Sequence, residues 1–224
     1  MTGFPSPNCG ERRGGERPDL IVIHYTAMAS AAEARARLCD PAHEVSAHWL
    51  IAETGAAEAL VDEALRAWHA GAGQWGAVTD VNSRSIGIEL ANSGSQPFAE
   101  PQMAALERLL AGIMARWGIP PERVIGHSDM APQRKSDPGP RFDWRRLARQ
   151  GLSVWPDPAP PADPARFVPE ARRFGYPEAP ADLMLRAFRL RFRPWARGPL
   201  DAVDAGLAAD LARRFPVDAA PPAA

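Results

Sequence analysis

The chain contains five histidines, His24, His43, His48, His69 and His127. Two of them, His24 and His127, stand at the ends of apolar, strand-like runs, where a pocket rim is expected. After His127 comes SDMAPQRKSDPGPRFDW, a loop carrying Asp129, Lys135 and Asp137 between prolines and glycine. Two imidazoles and a carboxylate suit zinc and leave a position open for water, which is the arrangement of a catalytic rather than a structural site. Spacing alone does not choose between Asp129 and Asp137, and it also allows histidines satisfied by ordinary hydrogen bonds. Glu89 interrupts the apolar run IGIEL, where a carboxylate is costly to bury without a cation, a donor or a proton. It reads either as a general base for metal-activated water, with Lys135 stabilising the oxyanion, or as one half of a structural ion pair.

The elements that must position these residues are legible in the same stretches. LIVIHYT (20–26) is an apolar, β-branched run and SIGIEL (85–90) a second one, while AAEARARL from Ala31 is a good helix former. SAHWLI, ALVDE and RAWH are short strand candidates, and ERVIGHSD gives another ending near His127. The strongest helix is PQMAALERLLAGIMARWG (101–118), with Met103, Leu106, Leu110, Ile113 and Trp117 spaced three and four apart. FDWRRLARQ (142–150) is a further amphipathic helix. The alternation predicts an α/β fold, a central mixed β-sheet flanked by helices, with a small C-terminal three-helix domain.

The 224 residues carry 26 basic and 27 acidic side chains, a net charge of −1, which argues against an electrostatic grip on nucleic acid. No apolar run is long enough to cross a bilayer, and the first residues lack the apolar stretch of an export signal. This points to the cytoplasm; a start site placed too far downstream would hide an export signal and point to the periplasm. Cys9 and Cys39 show no metal or redox spacing and read as a loop thiol and a helix-end residue. Thirteen of the 24 prolines follow residue 150, six of them between Pro156 and Pro169. Such a segment is a poor core element and a good spacer, so the expected division is a domain at 1–155, a linker at 156–165 and a helical unit at 166–224. In that last unit Leu185, Phe188, Phe192, Val203, Leu207 and Leu211 recur at helical spacing, and Phe188 and Phe192 read as core.

Taken together, SPN (6–8), DLIVIHYTAM (19–28), SAHWLI (46–51), AWHAG (67–71), NSRSIGIELAN (82–92) and GHSDMAPQRKSDPGP (126–140) resemble the zinc-dependent N-acetylmuramoyl-L-alanine amidases. That family also includes peptidoglycan recognition proteins and phage amidases. The resemblance covers about the first 150 residues. It implies hydrolysis of the amide between N-acetylmuramic acid, or its 1,6-anhydro form, and L-alanine of the stem peptide, in peptidoglycan or muropeptides. It assigns zinc (Zn2+) to His24, His127 and Asp137, ranking Asp129 below Asp137, and gives Glu89 the general-base role and Lys135 transition-state stabilisation. Water would attack the amide directly, without an acyl-enzyme. His69, Asn82 and Trp68 are implied as substrate-groove residues, with a loop-holding role for His69 as the alternative. Trp49, Trp68 and Trp75 offer stacking surfaces, although Trp49 and Trp68 fit a core equally well. His48 reads as structural and His43 as a surface residue. Non-catalytic recognition members of the family lose a ligand, whereas this chain keeps the set; a peptidoglycan-binding protein that does not cut is the alternative. The C-terminal unit is similar to the small peptidoglycan-binding domain of the larger branch of these amidases, with a shortened first helix. Its alternative role is to cover an apolar face of the catalytic domain.

Overall fold

The structure is a computed structural model that describes residues 4–217; residues 1–3 and 218–224, the outer ends of the two expected domains, lie outside it. In chain order it forms β1 (Cys9–Gly10), β2 (Leu20–Tyr25), α1 (Ala31–Leu38), β3 (Trp49–Ile51), β4 (Ala57–Ala59), β5 (Arg66–Ala67), α2 (Val81–Arg84), β6 (Ser85–Leu90), α3 (Glu100–Trp117), β7 (Val124–Gly126), α4 (His127–Met130) and α5 (Trp144–Arg149). The helices α6 (Phe167–Phe174), α7 (Ala181–Phe192) and α8 (Ala202–Arg214) complete the described chain.

Five strands form a mixed sheet in the order β4-β3-β6-β2-β7. β2 lies parallel to β6 and β7, β3 parallel to β6, and β4 antiparallel to β3 at the edge. The runs LIVIHY and SIGIEL are apolar on both faces because both faces are covered. On one face Ile21, Ile23, Ile86, Ile88 and Leu90 pack beneath the Met103, Leu106, Leu110 and Ile113 stripe of α3. That helix ends where Gly118 takes the left-handed conformation, φ +70°. On the other face Leu20, Val22 and Ile125 meet an aromatic cluster that includes Phe174, Phe188 and Phe192. The α/β architecture and the helices expected from periodicity are therefore present, and both phenylalanines are core.

Two expectations need correction. ALVDE (59–63) is strand only at its first residue: the antiparallel partner of β3 is Ala57–Ala59. Leu60 and Val61 both donate their N–H to the His48 carbonyl, and Asp62 accepts from the Ala64 N–H, so this segment turns instead of extending. Trp75 is no stacking surface. It is fully buried, edge-on to Phe174 and Tyr176, where its apolar area belongs to the core.

The proline segment runs along α8: the Asp157 N–H donates to Asp210 and the Ala162 N–H to the Ala202 carbonyl. One apolar cluster spans the expected boundary near residue 157, from Leu20 and Val22 through Val154 to Leu211.

Candidate active site

Parallel pairing places His24 of β2 directly beside Glu89 of β6. Ile23 pairs with Gly126, so His127, the next residue of the chain, falls level with them at the end of β7. Side chains level across parallel strands share a face. The three thus form a row at the carboxyl ends of the strands, where ligands bind in open α/β sheets. The 126–140 loop returns beside them, held by the Ser128 N–H donating to the Asp137 carbonyl oxygen; the Asp137–Pro138 peptide is cis.

At this row His24 Nδ1, His127 Nδ1 and Asp137 Oδ2 approach one another to 2.9, 2.9 and 3.0 Å. The opposite ring nitrogens fix the tautomers. His127 Nε2 lies 2.9 Å from the Ala70 carbonyl and must donate to it, which leaves Nδ1 a bare lone pair. Ser85 Oγ donates to the Val81 carbonyl at 2.5 Å, so it accepts from His69 Nε2 at 3.2 Å. His69 Nδ1 then accepts from His24 Nε2 at 3.1 Å, and His24 Nδ1 is also bare. Burial and the neighbouring His127 push His24 down to about 4, which keeps it neutral. Two imidazole lone pairs and a carboxylate oxygen thus converge, an arrangement suited to a metal cation. A tetrahedral zinc holds its donors roughly 3.3 Å apart, close to this triangle.

Glu89 Oε2 is buried without a hydrogen-bond partner. Burial, reinforced by the Asp137 carboxylate, pushes Glu89 up to about 8, while Lys135 pulls it back. Lys135 lines the same cleft, and its ammonium has no hydrogen bond or ion pair among the described residues. The static ion pair weighed for Glu89 and Lys135 is not formed.

The cleft encloses about 400 Å³. Trp68 lines it half-buried, and beyond the histidines Met28, Leu38 and Val45 make an apolar wall with exposed Arg37 at its edge. His69 also lines the cleft while its Nδ1 accepts from His24 Nε2. Its ring lies so close to Gly87 that a Cβ there would fall 2.4 Å from it. Asn82 does not line the cleft: it is buried beneath the floor, and its Oδ1 accepts the N–H groups of His69 and Ala70. His48 is buried, accepting from the Gly87 N–H and donating to the Leu65 carbonyl, whereas His43 is exposed. The SPN segment is a strap for the cleft wall: Ser6 donates to Leu38, and Asn8 to Asp40 and Val45. Asp129 is fully buried and engaged elsewhere, its oxygens accepting from Tyr176, Arg191 and the Gly126 N–H. Sequence reasoning missed Arg37, Met28 and Val45, because nothing in their local pattern distinguishes a cleft wall from any amphipathic helix and loop.

Residues 14–140 match the family described as N-acetylmuramoyl-L-alanine amidase, more than half of the chain and all three converging residues. The chain belongs to this amidase family. A curated relative, the N-acetylmuramoyl-L-alanine amidase AmiD of Escherichia coli K12, is 37% identical over 90% of this chain and 85% of its own length. The 1,6-anhydro-N-acetylmuramyl-L-alanine amidase AmpD of Enterobacter cloacae is 32% identical over 64% of this chain and 86% of its own. Among solved structures, the complex of E. coli AmiD with the substrate anhydro-N-acetylmuramic acid-L-Ala-D-gamma-Glu-L-Lys superposes with a TM-score of 0.82 at 34% identity, covering 96% of this chain and 93% of that one. AmpDh3 of Pseudomonas aeruginosa in complex with anhydromuramic pentapeptide gives 0.79 at 32% identity over 92% and 95%. The likeness to these two amidases therefore extends through the C-terminal helices.

Proposed function

We propose that the protein is a zinc amidase that hydrolyses the bond between N-acetylmuramic acid, in its 1,6-anhydro form or within peptidoglycan, and L-alanine of the stem peptide. The observation that carries this is the convergence of three bare ligand atoms beside an unpartnered glutamate at the strand ends. When bound, zinc supplies a Lewis acid that polarises the amide carbonyl and makes water a nucleophile near neutral pH. The chain's own residues do the rest. Glu89 Oε2, which has no hydrogen-bond partner, in its ionised form takes the proton of the attacking water and passes it to the leaving L-alanine nitrogen. The uncommitted ammonium of Lys135 faces the oxyanion that forms on the carbonyl. Trp68 and the apolar wall receive sugar or peptide, and Arg37 offers a cation to the stem's carboxylates. His24, His127 and Asp137 hold the metal, with His69 and Asn82 behind them.

The catalytic machinery on this reading occupies 1–155 and the helical unit 166–224, joined by the proline segment. Among the described residues no helix is long and apolar enough to cross a membrane. A cytoplasmic setting, with soluble muropeptide as substrate, belongs to the same reading; recovery in the periplasm on fractionation would overturn that part. The deciding experiment incubates the protein with purified anhydromuropeptide and follows release of the stem peptide. Release that chelator abolishes and zinc restores is expected. Muropeptide binding without cleavage by the zinc-loaded protein would instead establish a recognition protein.

A further inference from the structure

The metal ligand His127 sits in a turn whose two ends are gripped by the C-terminal helices. Arg191 of α7 is 2% exposed. Its Nη1 donates to Asp129 Oδ2 at 2.8 Å, and its Nη2 to the Val124 carbonyl at 3.0 Å and to Ser153 Oγ at 3.1 Å. Val124 opens β7 and Asp129 lies in α4, so one guanidinium spans the strand-to-helix turn with Gly126 and His127 between its two contacts. Tyr176 donates to the other carboxylate oxygen, Asp129 Oδ1, at 2.6 Å. The Gly126 N–H closes the turn from inside, donating to Asp129 Oδ2 at 2.8 Å. The guanidinium itself is seated over the Trp144 ring, 4.4 Å from its centroid, so its place does not depend on the ion pair alone.

A buried ion pair is seldom retained for stability, because apolar residues of equal volume do as well; fixing a register is its best-attested use. Here the register concerns which way the His127 ring faces. Arg191 and Tyr176 lie beyond the family match at 14–140, in the unit whose composition suggested an accessory module. We propose that they are positioning residues of the metal site, acting through Asp129 to hold the turn that aims His127 Nδ1 at His24 and Asp137. The C-terminal unit then supports the catalytic centre from outside it. This rests on the metal-site reading of the proposed function.

The test compares Arg191→Met with Arg189→Met in the full-length protein. Arg189 makes the other buried arginine–aspartate pair of α7, to Asp204, and its hydrogen bonds stay within the C-terminal unit. Cobalt(II) affinity, measured in competition with a chromophoric chelator, and the visible spectrum of the bound cobalt report the site directly. Arg191→Met is expected to weaken cobalt binding about tenfold, alter the spectrum and lower kcat with KM unchanged. Arg189→Met should lower Tm without any of these changes. Tyr176→Phe, which removes a single hydroxyl, keeps the test open if Arg191→Met fails to fold; it should weaken cobalt binding about threefold. Equal cobalt affinity and spectrum in the unaltered protein and Tyr176→Phe, or in Arg191→Met and Arg189→Met, would overturn the proposal. Should the amidase reading fail instead, the unaltered protein would show no turnover while the difference in cobalt affinity persisted.

Discussion

Asp129, in α4, and Asp137, in the loop that follows it, are both buried and have opposite fates. Asp129 has its two oxygens filled by three donors, the Tyr176 hydroxyl, the Arg191 guanidinium and the Gly126 N–H. Asp137 Oδ2 faces two imidazole nitrogens whose protons are committed on the far side of each ring. Folding ordinarily satisfies every buried polar group, so Asp129 is what a finished scaffold looks like. The cluster around Asp137, together with the unpartnered Glu89 Oε2, is complete only with something added. The contrast separates structure from function more sharply than residue type or spacing does, since the type is the same and spacing does not choose between the two.

The largest effect that would sharpen this contrast is at Glu89. Glu89→Gln keeps the shape of the site and removes the group that moves the proton, so kcat should fall roughly 10³-fold with metal content unchanged by elemental analysis. Retention of a tenth or more of the activity would return Glu89 to a structural role. The same substitution reports on the metal-free protein. A carboxyl raised to about 8 in the fold, above its unfolded value, contributes stability at low pH that is lost as pH rises through 8. Between pH 5 and 8 the metal-free protein should therefore lose Tm relative to metal-free Glu89→Gln; parallel Tm profiles would refute the raised affinity.

A second comparison breaks the two aspartates in turn. Asp137→Asn should weaken zinc binding at least ~100-fold, more than loss of an outer partner does. It should leave the metal-free Tm unchanged or raised, because the new amide can donate to one of the bare nitrogens. Asp129→Asn keeps all three ligands but leaves Arg191 facing a neutral amide in a buried site, at a cost of about 3 kcal/mol in denaturant unfolding. Equal stability losses from the two substitutions would erase the distinction drawn between them.

What was legible beforehand follows the range of the interactions. β2, β6 and α3 show in local periodicity, because burial on one or both faces writes itself into adjacent residues. ALVDE failed because its turn depends on the His48 carbonyl, and Trp75 because its partners Phe174 and Tyr176 arrive from about a hundred residues away. The ligand atoms converge through strand register, His24 beside Glu89 and Ile23 beside Gly126, which no stretch of sequence displays by itself. Only resemblance ranked Asp137 above Asp129; the physical discriminator, Arg191, lies 62 residues beyond Asp129 in a segment read as a separate unit.

The smallest expected effect extends the same contrast to the arginines of the cleft. Arg134 is committed: its guanidinium donates to the Ala70 and Ala72 carbonyls, and Ala70 is also the acceptor that fixes His127. Arg37 lines the same cleft with no partner for its guanidinium among the described residues. If commitment marks scaffold and availability marks function, the two should fail differently. Arg134→Ala removes bonds from a loop that touches His127, the proposed metal ligand, so Tm should fall by several degrees and zinc affinity with it. Arg37→Ala removes nothing the fold uses, and Tm should stay within a degree. A single exposed cation meeting a substrate carboxylate in water contributes little, so KM should rise only about three- to fivefold with kcat unchanged. The rise should vanish on a muropeptide whose free carboxylates are amidated, because that substrate offers Arg37 no anion. An unchanged KM on the acidic substrate would mean that an uncommitted side chain at the cleft edge is merely solvated, and would restrict the distinction to groups buried at its floor.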